Sequence, residues 1–419
     1  MKRFVFVLLA LLTSTQPLYA AADLTLDEAL GTALKNHPQV IEARENLNGA
    51  EAKTGQALAN YYPQISLSAD WIRGQSYFPA QETIKISETN TASLYLKQTI
   101  YDFGRTSGAV EAARGNREAA DNALAVTRQD LTLRVRVAFY LVLALEKQVQ
   151  AVRENVKARE DVFRQAQEFF TQGIRARVDV ARAEANYFAA KTNLIRAESN
   201  REIARVELAN AMGIASLGEH SPVATSSVLL SLPERNSSQQ DALLNRAELQ
   251  QFAALKSAAS GNLTSAKSSY LPILSGVASI GYADRDFPPT GNVWGVGLNL
   301  TVPLFSGFSS VEQVREATAA MNSIEARQNN LKLQIIKEVE SAWFGGNDAA
   351  ARMVSTQKEV DAANESKSLA EGRYQEGVGS IIEVTDAQSQ TLDAQTANIQ
   401  AKFDYYTALA RLDRAVGKQ

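Results

Sequence analysis

Glu383 and Asp386 stand three residues apart where "SIIEVTDAQ" opens the last helical stretch, so their carboxylates share one helix face. Carboxylates placed this way attract cations. Acidic side chains also settle in a first helical turn through the helix dipole, and the residues alone leave both readings open. Motifs for bond-making chemistry are missing. The 2 histidines, His37 and His220, lie far apart in sequence, and the chain has no cysteine. Disulfides, thiolate metal sites and a lipid-modified cysteine are therefore excluded. With no phosphate loop, no histidine–carboxylate cluster and no glycine-framed nucleophile, the expectation is neither an enzyme nor a cofactor protein.

The elements that carry these carboxylates occur twice. "QTIYDFG" (98–104) is echoed by "VPLFSGF" (302–308), and "FFTQGIRARVDVARA" (169–183) by "RYQEGVGSIIEVTDA" (373–387). Tyr101 then stands opposite Phe305, Gly173 opposite Gly377 and Gly213 opposite Gly417, all at one constant separation. "YYP" (61–63) matches "YLP" (270–272) at a slightly larger separation, so the first copy holds extra residues between Pro63 and Tyr101. The domains read as 1–22 a signal peptide, 23–213 a first repeat, 214–240 a Ser- and Pro-containing connector, and 241–419 a second repeat.

No proline occurs from 80 to 221 or from 304 to the end, which leaves both stretches free to be helical. Val135, Ala138, Val142, Leu145, Val149, Val152, Val156, Phe163, Ala166 and Phe170 follow a heptad seam broken at Arg159. The second copy repeats it with smaller residues from Val339 to Tyr374. Gly345-Gly346 marks an expected bend, Gly173 and Gly377 the hairpin turns, and Gly213 and Gly417 the helix stops. Thr25 and Glu28 form a capping box that starts the first helix.

Between these helices lie four strands. In "NVWGVGLNLTVP" (292–303), Trp294, Val296, Leu298 and Leu300 alternate with Gly295, Gly297, Asn299 and Thr301. Segments beginning at Ile65, Ala92 and Leu274 alternate in the same way, except that Gln98 falls on the apolar side and Val277 on the polar side. Apolar-out, polar-in runs of about ten residues fit outer-membrane strands, with Trp71, Tyr77, Tyr101, Tyr282 and Trp294 in girdle positions. Four strands cannot close a barrel, and an open edge is not tolerated in lipid, so several copies must share one. Hairpins return the chain to the side it left, which places every helix in the periplasm.

The N-terminus "MKRFVFVLLALLTSTQPLYAAA" has a charged start, a short apolar run and small residues at Ala20 and Ala22, as a secretory leader does. A formal net charge of −3 argues against nucleic acid as a partner.

Taken in order, "LTLDEALGTALKNHPQVIEAR", "YYPQISLSADW", "QTIYDFGR", "FTQGIRARVDVARAE", "VPLFSG" and "YQEGVGSIIEVTDAQ" resemble the TolC-type outer-membrane efflux protein family over nearly the whole chain after the leader. The resemblance implies a mainly α fold with membrane β. Long coiled-coil helical hairpins would form a periplasmic tunnel, and a homotrimer would share a twelve-stranded barrel in outer-membrane lipid. It also implies a passive exit duct for efflux or type I secretion. The partners would be a periplasmic adaptor protein and an inner-membrane pump of ABC, RND or MFS type. Glu383 and Asp386 match acidic residues that line the closed tunnel entrance, as two stacked rings in a trimer. Asp179 and Tyr374 match two of the contacts that close the tip. The arginine expected beside them is replaced by Gly379, and Arg175, placed after Gly173 as Gly379 is after Gly377, is expected to compensate. The turns at Gly173-Ile174 and Gly377-Val378 are the expected adaptor contacts. Trp71, Tyr282, Trp294, Val296, Leu298 and Leu300 are the lipid or girdle residues. A periplasmic coiled-coil adaptor would share the leader and the helical hairpins, but it has no use for four lipid-type strands in duplicated pairs.

Overall fold

Every helix stop written into the sequence is used. In the computed structural model, which describes residues 23–78, 83–223 and 232–418, the two long helices are α3 (Arg105–Thr171) and α7 (Ser309–Gln375), 67 residues each. Each turns back into a shorter partner, α4 (Arg177–Met212) or α8 (Ile381–Ala415). The leader 1–22 and residues 224–231 of the connector lie outside the described residues.

Gly173 (φ 73°) and Gly377 (φ 77°) end the long helices in the left-handed conformation that costs glycine nothing. The closing bonds are the same in both copies. Ile174 N–H donates to the Phe169 carbonyl (2.9 Å), and Val378 N–H donates to the Arg373 carbonyl (3.1 Å). Gly213 and Gly417 stop α4 and α8 with the same pattern.

The start of the chain is less continuous than the sequence suggests. Thr25 and Glu28 make the expected capping box, with Thr25 N–H 2.9 Å from the Glu28 carboxylate and Glu28 N–H 3.3 Å from Thr25 Oγ1. Instead of one helix there are two, α1 (Leu26–Asn36) and α2 (Pro38–Leu58). Pro38 cannot continue α1 but is preorganised to begin α2, and His37 Nδ1 caps the new start by accepting from Gln39 N–H at 3.2 Å. The second repeat divides at the matching place, into α5 (Arg235–Asn245) and α6 (Ala247–Lys267), with Arg246 between them. Helix α5 thus begins inside the expected 214–240 connector.

A small parallel pair, β1 (Asp23–Leu24) with β4 (Ser221–Pro222), joins the chain start to the connector. The main sheet is antiparallel in the order β2 (Gln64–Phe78), β3 (Thr83–Tyr101), β5 (Ile273–Asp284), β6 (Gly291–Thr301). Its first hairpin is longer than its second, which is where the extra residues of the first copy went. The middle pairing, β3 with β5, joins the two repeats and carries an irregularity between Thr99 and Tyr101.

Contacts divide the chain into two compact units, each drawing on both repeats. One comprises Arg134–Leu230, Arg352–Phe403 and the chain up to Ala33. In it the heptad seam is realised by buried Val135, Val142, Val149, Val152 and Ala166, and in the second copy by Ala370 and Tyr374. One seam residue departs: Phe170 is 43% exposed, and Phe169 turns inward instead. The tightened last turn before Gly173 moves the apolar line by one residue.

The other unit comprises Leu34–Leu133, Ser231–Ala351 and Asp404–Gln419. Its helical core holds Ile335, Val339, Ala342, Leu412 and Ala415. Helix α7 runs unbroken through Gly345-Gly346. A Cβ on Gly346 would lie 2.9 Å from Leu232 Cδ2, so this glycine makes room for a neighbouring side chain. Beside this core, buried Arg246 pairs with Glu248 (2.9 Å) and Glu338 (2.8 Å), while Arg414 pairs with Glu248 (2.5 Å) and Asp130 (2.7 Å). Burial works to raise the Glu248 carboxyl, but hydrogen bonds from Arg246 and Arg414 outweigh it and hold the group below the ordinary glutamate value.

Candidate functional site

Two regions gather the residues with functional potential, and each lies within one compact unit. The first is the end where both hairpins turn. Val162, Ala166, Ala183, Tyr374, Ile381, Val384 and Ala387 share one core there, with Phe163, Phe169 and Val180 against it. The Phe169 and Tyr374 rings lie 5.7 Å apart. This core fixes the two turns side by side.

Across the turns reaches Arg175. Its Nη2 donates to the carbonyl oxygens of Gly377 (2.9 Å) and Gly379 (2.6 Å), and its guanidinium lies 5.8 Å from the centre of the Tyr374 ring. A cation thus ties the first hairpin to orphan carbonyls of the second, where a helix C-terminus favours positive charge. The arginine that the resemblance places at 379 has no room: a Cβ there would lie 2.9 Å from the Tyr374 backbone nitrogen and 3.0 Å from the Arg373 carbonyl carbon.

Tyr374 is 1% exposed, and its hydroxyl has no hydrogen-bond partner among the described residues. Burial pushes its phenol up, the Asp179 carboxylate adds to this, and Arg175 partly offsets it. Asp179 therefore acts on Tyr374 through its field, from the first turn of α4. The structure brings Asp179, Tyr374 and Arg175 together, with Arg175 making the direct polar contacts.

The two carboxylates of α8 differ. Glu383 closes a capping box with Ser380, whose Oγ accepts from Glu383 N–H at 3.2 Å, and it pairs with Arg373 at 3.5 Å. Asp386 is exposed and has no hydrogen bond or ion pair among the described residues. Sequence reasoning missed Ser380 and Arg373, although Ser380-x-x-Glu383 spells the same cap as Thr25-x-x-Glu28. It also missed Arg159's partners. The guanidinium that breaks the seam donates to Asn155 Oδ1 and to Ser389 Oγ on α8, both at 2.9 Å. Beyond the core, Ile174 and Val378 at the turn tips are 55% and 72% exposed.

The second region is the sheet. Leu67 pairs with Leu94, Leu94 with Ile280, and Ile280 with Trp294, forming one apolar row across all four strands on one face. All four side chains are exposed, as are Val296, Leu298 and Leu300 in the rows beside them. Tyr282 lies near the end of β5 far from the helices, and Trp71 lies midway along β2, where its Nε1 donates to Glu88 at 2.9 Å. Tyr101 stands at the helix end. The side chain of Tyr77 lies outside the described residues. The opposite face carries Ser93, Ser275 and Ser279. Among the described residues, strand β2 pairs only with β3 and β6 only with β5, so the backbone groups on both outer edges have no partner there. Among the described residues, no helix is long and apolar enough to cross a membrane.

The family pattern of outer membrane efflux proteins matches residues 29–214 and 239–418, one stretch per repeat. The outer membrane protein TolC of Vibrio cholerae is 24% identical over 98% of this chain and 94% of its own length. The alkaline protease secretion protein AprF of Pseudomonas aeruginosa is 24% identical, over 91% of this chain and 82% of its own. Among solved structures, the CmeC outer membrane channel of Campylobacter jejuni superposes with a TM-score of 0.85 at 18% identity, covering 94% of this chain and 85% of that one.

Proposed function

The chain belongs to the outer membrane efflux protein family, and we propose that it is a passive exit duct, gated at its helical tip and fed from the periplasm. The family is one of bacterial outer-membrane channel proteins, not of enzymes. A homotrimer closes the four strands of each chain into a shared twelve-stranded barrel, and the hairpins form the periplasmic tunnel. A periplasmic adaptor and an inner-membrane pump of ABC, RND or MFS type supply the substrate and the energy. Efflux and secretion both remain within this reading, since the similar proteins include a TolC and a protease secretion protein.

The single observation that carries the proposal is the sheet. One face is apolar and exposed on all four strands, the other is mostly small and polar with Ile72, Tyr95, Val277 and Val293 as exceptions, and among the described residues both edges lack partners in the sheet. Such a sheet is stable in lipid only when closed by further strands. Trp294, Val296, Leu298 and Leu300 then meet lipid, and Trp71 and Tyr282 form a girdle. The adaptor alternative leaves this sheet without a use.

At the tip, Arg175 holds the two turns of a chain together and Tyr374 packs beneath it, with Asp179 alongside. Glu383 and Asp386 ring the opening, and Ile174 and Val378 face the adaptor. Purified protein in planar lipid bilayers tests the reading. It should conduct ions without nucleotide or proton gradient and show a closed resting state; protein that inserts but never conducts overturns it.

A further inference from the structure

The sheet face turned away from the apolar band carries little charge and little bulk. From the Thr91 row to the Thr99 row it holds mostly serine, threonine and glycine, and its charged residues there are Asp70 and Lys97. Lys97 is exposed and makes no ion pair among the described residues. Asp70 sits in the Thr91 row, about 20 Å farther along the strands. That is well beyond the screening length of about 8 Å at physiological salt, so it does not neutralise Lys97. Tyr95 stands two residues before Lys97, and the two side chains leave β3 on the same face, one row apart. Tyr95 is 45% exposed.

Beside this pair the face steps down to bare backbone. The Tyr95 row continues through Ser279 to Gly295, and the Lys97 row through Val277 to Gly297. Neither glycine has a left-handed backbone. A Cβ on Gly295 would lie 3.6 Å from Ser279 Oγ, and one on Gly297 3.9 Å from Val277 Cγ2, both ordinary contacts. Gly281 is different, because a Cβ there would collide with the Ala92 carbonyl oxygen. Glycine weakens a strand, and at 295 and 297 neither conformation nor packing within the chain asks for it. What it leaves is open space above β6.

We infer that Tyr95 and Lys97 form a binding neck for aromatic anions inside the barrel. This deepens the duct reading above and rests on it. Twelve strands about 4.8 Å apart and tilted by about 40° enclose a cylinder roughly 24 Å across between backbones. Tyr95 and Lys97 are the longest side chains on the inner face in these rows, so three copies of the pair narrow the bore, with a glycine trough beside each.

A ring of lysines favours anions as a ring of carboxylates favours cations. A planar solute packs offset or edge-on against the Tyr95 phenol, and its carboxylate or sulfonate reaches the Lys97 ammonium. The troughs at Gly295 and Gly297 take up the rest of the solute. Each contact is exposed and therefore weak, which lets the solute leave again. The neck concentrates aromatic anions and repels cations, the opposite preference to that of Glu383 and Asp386.

The probe is pyrenetetrasulfonate, titrated against the detergent-extracted protein at low ionic strength and followed by fluorescence anisotropy. Binding should be saturable and should weaken as salt is raised. Lys97→Gln should lose about tenfold in affinity and Lys97→Arg little. Tyr95→Ala should lose about fivefold, and Tyr95→Phe should bind like wild type. Because the chain has no cysteine, Lys97→Cys can be modified at that position alone. Aminoethyl methanethiosulfonate, which rebuilds an ammonium, should restore binding, and the sulfonatoethyl reagent should not. The inference is overturned by the absence of saturable binding, by a Lys97→Gln variant within about twofold of wild type, or by ferrocyanide binding as tightly as the tetrasulfonate. The modification separates the two levels. A cysteine at 97 that neither charged reagent reaches defeats the water-filled barrel itself, while one that reacts without changing probe binding defeats only the neck.

Discussion

Arg175 and Gly379 meet across the two hairpin turns, the guanidinium Nη2 lying 2.6 Å from the glycine's carbonyl oxygen. The contact joins residues that occupy matching places in the two repeats. One copy supplies a long cation, and the other a bare backbone oxygen that needs a donor.

Removing that cation should loosen the tip. Arg175→Ala abandons two charge-assisted hydrogen bonds at a partly exposed site, worth together about 2 kcal/mol. If the contact holds the closed state, the opening equilibrium rises roughly 30-fold. Arg175→Lys should recover only part of this, because an ammonium does not span both carbonyls as the planar fork does. Single-channel recordings measure it, and an unchanged open probability removes Arg175 from the closing contacts.

Tyr374 should behave differently. Its ring packs on Phe169, but its buried hydroxyl makes no hydrogen bond among the described residues. Tyr374→Phe should therefore leave open probability within about twofold, and stability unchanged or raised by up to roughly 1 kcal/mol. Tyr374→Ala should lose about 3–5 kcal/mol of local packing and free the tip. Limited proteolysis at 372–380, run beside the recordings, separates the two. A Phe variant that opens like the Ala variant would assign the closing role to the hydroxyl.

Much of this was legible in the sequence because the features are local or periodic. Glycine stops, heptad seams and strand alternation each follow from backbone geometry over a few residues, and duplication supplied a second reading of each. The break at His37-Pro38 was not legible, because proline both ends a helix and starts one, and spacing does not say which. The inward turn of Phe169 in place of Phe170 depends on how the last helical turn tightens. Arg246, Glu248 and Arg414 were invisible for another reason: they are brought together by tertiary packing from distant parts of the chain.

The two α8 carboxylates should divide the work of cation selection unequally. Asp386 is exposed and makes no hydrogen bond or ion pair among the described residues, whereas Glu383 is engaged by Ser380 and Arg373. Asp386→Asn should lower the cation-to-anion permeability ratio several-fold and weaken divalent block, and Glu383→Gln should do less of both. The combination of Glu383→Ala with Asp386→Ala should do most. Reversal potentials in a salt gradient report the ratio, and a double variant with wild-type potentials rules out the gate assignment.

Glu248 should make stability depend on pH with a defined sign. Its folded carboxyl is held below the ordinary value, so its stabilisation is complete above about pH 4.3–4.5 and fades as pH falls through the lower folded value. Glu248→Gln leaves Arg246 and Arg414, whose side chains are 4% and 11% exposed, without the carboxylate they share. Breaking an enclosed pair costs about 3–5 kcal/mol. Here half-exposed Glu338 and Asp130 still pair with the two arginines, so about 2–3 kcal/mol is expected. The gap in guanidinium unfolding between wild type and variant should be full at pH 7 and smaller at a pH well below the ordinary glutamate value. A gap of equal size at both pH values would mean that Glu248 acts through its shape and not its charge.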